Sequence, residues 1–202
     1  MQRPMPDKHA NADHPIHDLT ARRWSPYVFS DRPVEPADLR SILESARWAA
    51  SSYNEQPWRW IVATTADPAE HARLLSCLVE PNQGWARHAP VLGLCVAALR
   101  FARNGAENPA AHHDLGLAAG NLSHEATARG LYVHWMIGIL PERARELYAI
   151  PDGFQPLTAF ALGHLGDIEG AAEQHRARDL APRTRKPLAE LVFGGRWGTA
   201  AW

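Results

Sequence analysis

Residues 91–99 form an apolar run, Val-Leu-Gly-Leu-Cys-Val-Ala-Ala-Leu, that no charged side chain interrupts. Such a run predicts a central strand that is covered on both faces by other elements. Residues 156–165 predict a second apolar strand, and residues 59–65 and 131–136 predict two more. These strands require helices packed against the sheet, because a domain buries its apolar faces between layers.

Helices are predicted around these strands from proline starts and apolar spacing. Pro36 and Pro68 stand where the first turn of a helix accepts proline, and Asp67 is a suitable N-cap. Gly130 is a suitable stop for the longest predicted helix, whereas residues 81–89 are predicted to form a loop. The predicted helices begin near residues 19, 36, 68, 108 and 141. Because helices and strands alternate irregularly, we predict an α+β fold, a small sheet flanked by helices.

The length of 202 residues suits one domain with a full core. Residues 1–17 are polar and predict a flexible leader without the apolar core of a signal peptide, so residues 18–202 form the predicted domain. A net charge of -1 without a basic tract argues against nucleic acid, and residues 89–99 are too few to span a bilayer. Cys77 and Cys95 lack metal or redox spacing, which predicts buried thiols in a cytoplasmic protein.

The 11 histidines do not predict a metal centre. His113 and His124 share a face of the longest predicted helix, but the helical rise separates them by about 16 Å. His134 lies on a predicted strand, where it either contacts a substrate or packs in the core, and we favour the core.

Two polar segments in the first third of the chain carry donors suited to a ligand. Arg23 and Ser25 offer a guanidinium and a hydroxyl that suit a phosphate, although for this segment alone a solvated helix end or a cap is the favoured explanation. Ser52, Asn54 and Gln56 alternate in the loop that residues 51–58 form. Turn formation is the simpler explanation, but so many side-chain donors before a Pro-Trp pair favour a binding loop.

Two further segments offer backbone and cationic groups. Ile137 and Gly138 follow the predicted strand, which ends at Met136, and a glycine there lets backbone N–H groups approach a ligand. A simple turn glycine is an equally good interpretation. Arg183 and Arg185 alternate in an extended segment and would point the same way, as a phosphate clamp or as an ordinary basic patch.

Taken together and in this order, these segments resemble the nitroreductase family over residues 19–198. The residues that carry the resemblance are Arg23 and Ser25, the complete Ser-Ser-x-Asn-x-Gln-Pro-Trp loop at residues 51–58, Asn121 on the long helix, Gly138 after its strand, Arg183 and Arg185 before Pro187-Leu188, and Arg196-Trp197-Gly198. The loop is the specific part, and the others gain weight from their order.

The resemblance implies a mostly antiparallel sheet and an FMN site at the interface of a homodimer, with a C-terminal arm on the partner subunit. It implies FMN contacts from Arg23, Ser25, Ser51, Ser52, Asn54, Gln56, Asn82, Met136, Ile137, Gly138, Arg183 and Arg185. The arginines would hold the phosphate, the loop would line the flavin across the interface, and the backbone at Ile137 and Gly138 would donate to N5. No side chain is assigned as a catalytic acid or base.

The implied activity is ping-pong transfer of hydride from NADH or NADPH through FMN to an electron-poor acceptor such as a nitroaromatic or a quinone. The alternatives are a flavin carrier or sensor without turnover, and a specialised flavin branch such as dehalogenation or flavin fragmentation. Two positions depart from the family pattern. Tyr27 stands where a basic residue is frequent, and Ile139-Leu140 stands where Phe-Asp is frequent.

Overall fold

The computed structural model describes residues 8–202. Four strands form one antiparallel sheet in the order β1-β2-β4-β3, which confirms the predicted α+β fold. The strands are β1 (Trp58–Thr64), β2 (Val91–Ala98), β3 (Tyr132–Met136) and β4 (Phe154–Gly163). The helices are α1 (Asp18–Arg22), α2 (Pro36–Arg47), α3 (Pro68–Leu75), α4 (Glu80–Ala86), α5 (Ala111–Ala128), α6 (Pro141–Tyr148) and α7 (Glu173–Leu180).

Strand β2 is central and every one of its residues is buried, as the apolar run predicts. Its alternate side chains enter two separate cores on the two faces of the sheet. Leu92 and Leu94 pack with residues of α3, α4 and α6, whereas Val91 and Cys95 pack with residues of α2 and α5. Gly93 lets the ring of Phe160, the residue opposite it on β4, lie against the backbone of β2, since a Cβ there would lie 2.1 Å from that ring.

Residues 81–89 are not the predicted loop, because α4 occupies residues 80–86. Pro81 lies in the first turn of that helix, where a missing N–H costs nothing, and Trp85 is buried on its inner face. Proline, asparagine and glycine in one short segment indicated a turn, but the burial of Trp85 outweighs their weak local preference.

Two elements begin at other residues than predicted, for local reasons, and one helix was not predicted. Helix α5 begins at residue 111, and the Asn108 side chain before it forms a turn, accepting the Ala110 N–H at 3.1 Å. Strand β4 begins before Pro156, and a shift in register at Cys95/Val96 accommodates the proline, which cannot donate to a ladder. Helix α7 was not predicted, because its apolar content is low.

Both cysteines are free and buried, as predicted. Residues 1–7 of the predicted leader lie outside the described residues. From residue 8 onward the leader contacts the domain: Lys8 donates to the Ala181 carbonyl, and the Ala10 N–H donates to the Ala21 carbonyl at 2.9 Å. Among residues 8–202, none of the helices combines the length and the apolarity needed to cross a bilayer.

Candidate functional site

Three arginines from opposite ends of the chain meet beside one pocket. Arg23, Arg183 and Arg185 line a cavity of about 560 Å³ between the leader and the C-terminal segment. Arg23 Nη1 donates to Ser25 Oγ at 3.4 Å, which brings the two predicted phosphate ligands together. Arg183 donates to the carbonyls of Lys8 and Ala21, each at 2.6 Å, and so fastens the leader to the pocket wall.

The three side chains of this cluster all carry positive charge and repel one another. Burial lowers the pKa of Arg23, and the positive charges of Arg183 and Arg185 lower it further. Burial and Arg185 likewise lower the pKa of Arg183. None of the ion pairs among residues 8–202 involves these three side chains. Guanidinium groups crowded in this way favour an anion between them.

A buried carboxylate supports the segment that carries Arg23 and Ser25. Asp179 is only 1% exposed and accepts hydrogen bonds from the N–H groups of Tyr27 and Val28. Burial raises the pKa of Asp179, whereas these N–H donors and Lys8 act in the opposite direction. The sequence reasoning missed Asp179, because nothing in its spacing shows a contact 152 residues away.

The predicted binding loop has an unusual backbone. Tyr53, Asn54 and Gln56 all have positive φ, between 52° and 55°, in the left-handed region that glycine normally occupies. Internal bonds hold this shape: the Gln56 N–H donates to Ser51 Oγ at 3.0 Å, and Gln56 Nε2 donates to the Asn54 carbonyl at 3.0 Å. Strain of this kind persists only where the surrounding structure enforces it and is frequent at functional sites.

The loop is anchored to α5 by a second buried carboxylate that the sequence reasoning also missed. The Ser52 N–H donates to Oδ2 of Asp114 at 2.9 Å, and Asp114 is 2% exposed. The aspartate therefore fixes the loop relative to the first turn of the long helix.

Gly138 and Asn82 are brought together, although 56 residues separate them. Asn82 Nδ2 donates to the Gly138 carbonyl at 3.0 Å, and the Val79 N–H donates to the same oxygen at 3.1 Å. A Cβ at position 138 would lie 2.7 Å from Asn82 Nδ2, so only glycine fits without a shift. The Met136 side chain is buried in the core, whereas Ile137 is 87% exposed.

The N–H groups of Ile137 and Gly138 donate to no protein acceptor among the described residues. Their carbonyls are engaged, because Gly138 accepts from Val79 and Ile137 accepts from the Ile139 N–H at 2.9 Å. The predicted backbone donors are therefore present at the end of β3 and available to a ligand.

The arginine cluster lies at the start of the same edge strand. The ring of Trp24 meets that of Tyr132, the first residue of β3, edge to face at a centroid distance of 5.8 Å. Ile137 follows the last residue of β3. Cations and free N–H donors thus stand at the two ends of one edge strand.

The binding loop lies at the other end of the sheet. The Pro57 carbonyl, at the end of the loop, accepts from the Ala98 N–H, and Ala98 pairs with the first residue of β4. Tyr132, beside the arginine cluster, pairs with the last residue of β4. Helix α5 shows the same separation. The loop contacts it at Asp114, whereas α1 contacts it at His124, which is ten residues and about 15 Å further along the helix axis. The cavity beside Arg23 is lined by residues 10–23 and 183–188, without the loop.

Tyr27, which departs from the family pattern, has a cation beside it. Its hydroxyl accepts from Arg178 Nη1 at 2.6 Å, and the guanidinium carbon lies 5.1 Å from the ring centroid. His134 packs against Tyr27 at a centroid distance of 4.5 Å and bonds to the Pro26 carbonyl at 2.7 Å. Burial lowers the pKa of His134, as expected of the packed histidine that we favour.

No three His, Cys, Asp or Glu side chains of the described chain stand close enough together to hold a metal ion. The candidate site therefore consists of cations, amides, hydroxyls and backbone donors.

Comparison with known proteins gives the family. The sequence profile of the nitroreductase family matches residues 20–80 and 68–164. The chain belongs to the nitroreductase family. A solved structure described as an oxidoreductase containing FMN is 31% identical, with a TM-score of 0.89, and the match covers 95% of this chain and 98% of that one.

Two curated relatives match shorter segments. The chain is 45% identical over 85 residues to an uncharacterized 15.4 kDa protein of Mycolicibacterium smegmatis, which is 42% of this chain and 57% of that protein. It is 46% identical over 50 residues to the major NAD(P)H-flavin oxidoreductase of Aliivibrio fischeri, which is 24% of this chain and 23% of that protein. The matches thus span about half or less of these relatives' length.

Proposed function

We propose that the protein is an FMN-dependent oxidoreductase that uses NADH or NADPH to reduce an electron-poor small molecule, such as a nitroaromatic or a quinone. The observation that carries the proposal is the pairing, along β3, of an uncompensated arginine cluster with the free N–H groups of Ile137 and Gly138. The relatives named for FMN and for NAD(P)H-flavin oxidoreduction support it.

The residues present fit an FMN molecule. Arg23 and Arg185, assisted by Arg183 and Ser25, would hold its phosphate. The Ile137 and Gly138 N–H groups would donate to N5, and their partial positive charge would favour the reduced flavin. Bound FMN supplies the redox chemistry, accepting hydride from a nicotinamide and passing it to an acceptor.

The protein has little acid-base chemistry to add. Burial lowers the pKa of His134, and its ring nitrogen Nδ1 donates to the Pro26 carbonyl, so the proton at that atom is already engaged. The protein's contribution is positioning and electrostatic stabilisation. One open face next to Ile137 would serve donor and acceptor in turn, which predicts parallel double-reciprocal plots.

A homodimer would complete the site. Because the loop and the arginine cluster contact opposite ends of the sheet, the loop of one subunit would line the FMN held by the other. Large apolar side chains are exposed on the single chain, including Trp48 at 74%, Trp197 at 93% and Trp202 at 78%. The last two lie in the predicted C-terminal arm, and burial in a dimer would remove them from water. We expect the protein to work in the cytoplasm.

The test is the visible spectrum of the purified protein before and after anaerobic addition of NADPH and of NADH. We expect a yellow protein that releases FMN on denaturation, bleaches with a nicotinamide and recovers its colour with a quinone. A yellow protein that neither nicotinamide reduces would instead be a carrier, a sensor or a specialised flavin enzyme. A colourless protein that FMN cannot reconstitute would overturn the proposal.

A further inference from the structure

Arg103 carries an exposed guanidinium that has no polar partner among residues 8–202. Its Cζ lies 4.0 Å from the centroid of the Tyr53 ring and 5.2 Å from that of Phe101. No hydrogen bond or ion pair within residues 8–202 engages this guanidinium. All of its N–H donors therefore remain available, while the aromatic rings fix its position.

The Tyr53 ring is held at the surface by a strained backbone. Tyr53 adopts a φ of 53°, which is costly for an aromatic residue, and yet its side chain is 73% exposed. The strain does not serve burial, because the ring is not in the core. Phe101 contacts the ring edge to face at a centroid distance of 5.8 Å and limits its movement.

The arginine is fastened to the candidate flavin loop. Tyr53 lies between Ser52 and Asn54 in that loop, and the Ala102 N–H donates to Oε1 of Glu55 at 2.7 Å. The Glu55 carboxylate thus joins the two loops and forms no ion pair with Arg103. Arg103 and Tyr53 therefore stand at the rim of the site that the proposed function assigns to flavin.

We propose that Arg103, together with the Tyr53 ring beside it, recognises the 2′-phosphate of NADPH and makes this nucleotide the preferred electron donor. A free guanidinium fork matches a phosphate monoester, and an exposed aromatic ring next to it suits the adenine that carries that ribose. NADH has the adenine and the pyrophosphate but lacks the 2′-phosphate, so Arg103 would bind NADPH more tightly than NADH. The inference rests on the proposed function, because it assumes that a nicotinamide reduces the bound FMN.

The kinetic test compares Arg103→Gln, Arg103→Lys and Arg100→Gln in the FMN-loaded protein. Arg100 is a matched control, since it is exposed, belongs to the same loop and donates to the Gly105 carbonyl at 3.0 Å. We expect Arg103→Gln to lower the ratio of kcat/KM for NADPH to kcat/KM for NADH about tenfold or more, because a charge-assisted bond is lost. Arg103→Lys should restore part of the ratio, and Arg100→Gln should leave it at the wild-type value.

A binding test is independent of turnover. Calorimetry would compare adenosine 2′,5′-bisphosphate with 5′-AMP, and we expect the wild type to bind the bisphosphate more tightly and Arg103→Gln to lose that difference. Equal binding of the two nucleotides, or an Arg103→Gln variant that weakens both alike, would overturn the inference. If the difference is present and Arg103-dependent but neither nicotinamide bleaches the flavin, the proposed function fails while the assignment of Arg103 stands.

Discussion

The Asp179 carboxylate accepts the Tyr27 backbone N–H, with Oδ1 at 2.9 Å and Oδ2 at 3.0 Å. Its Oδ2 also accepts the Val28 N–H at 3.0 Å. These bonds tie α7 to the segment that begins with Arg23, so a residue that touches no ligand sets the position of a predicted phosphate ligand.

Asp179→Ala should therefore destabilise the protein and weaken FMN binding together. Two backbone N–H groups would lose their acceptor in a buried setting, which costs about 2–5 kcal/mol in unfolding free energy. Urea unfolding of the apoprotein and FMN titration measure the two effects. Asp152→Ala is the control, since Asp152 is exposed, and it should change neither quantity by more than experimental error. Unchanged FMN affinity in Asp179→Ala would show that α7 does not position Arg23.

The pH dependence of stability tests the protonation of the same carboxyl group. Burial raises the folded-state pKa of Asp179 above the usual value of 3.8, so the folded protein holds this proton more tightly than the unfolded chain does. Its contribution to stability is then fully present below the unfolded pKa and is lost as the pH rises through the folded one. The unfolding free energy of the wild type, minus that of Asp179→Asn, should accordingly fall as the pH rises from about 4 through the folded-state pKa. A difference that rises over this range would contradict the assignment.

Arg185→Gln should weaken FMN binding at least tenfold without lowering the stability of the apoprotein. Arg185 is exposed, donates to the Thr184 carbonyl and adds to the positive charge around Arg23. Removing it relieves repulsion in the apoprotein, whereas the phosphate loses a charge-assisted bond. Flavin fluorescence and thermal unfolding give the two readouts. Arg196→Gln, an exposed arginine of the C-terminal segment, is the control, and a drop in apoprotein stability specific to Arg185→Gln would argue for a structural role.

Mixed dimers test whether the loop acts across the interface. Asn54→Asp keeps a residue that tolerates positive φ but replaces an amide donor with a negative charge, and we expect it to bind FMN poorly. Co-expression of Asn54→Asp with Arg185→Gln should restore one intact site in each mixed dimer, because one subunit supplies the arginine and the other the loop. If each site were formed within one chain, every site would carry a defect and activity would stay at the level of the separate variants.

Gly138→Ala should reduce stability by about 1–3 kcal/mol and displace the backbone donors at the end of β3. The new methyl group would meet Asn82 Nδ2 at 2.7 Å and Val79 Cγ2 at 2.8 Å. Gly84→Ala is the matched control, because a Cβ at Gly84 meets nothing within 4 Å and lies in α4, where alanine favours the helix. Thermal unfolding separates the two, and the reduction potential of bound FMN reports the displaced donors. Equal unfolding temperatures for the two variants would show that a side chain at position 138 can be accommodated without strain.

The sequence predicts the parts of this protein better than their arrangement. The apolar run of β2 specifies a central strand because its burial on both faces leaves no alternative, and the Asp67-Pro68 start of α3 is read from local chemistry alone. Local preference fails at α4, where the burial of Trp85 decides the structure.

The supporting contacts of the site were not predictable, for a related reason. Arg23, Ser25 and the loop at residues 51–58 carry recognisable donor types in sequence. Asp179 and Asp114 are ordinary acidic residues of helices until the fold places them under backbone N–H groups far away in the chain. Their function depends on three-dimensional proximity, which a single sequence does not contain.

The arginine pocket joins the N-terminal residues to the C-terminal segment, because Arg183 bonds to the carbonyls of Lys8 and Ala21. During synthesis the sheet, complete at residue 163, can assemble before these last residues leave the ribosome. The pocket cannot form until residues 183–185 have been synthesised, because Arg183 and Arg185 line it. If the pocket binds the FMN phosphate as proposed, a chain that ends before residue 183 would keep every residue of the sheet but lack two of the three arginines that hold the phosphate.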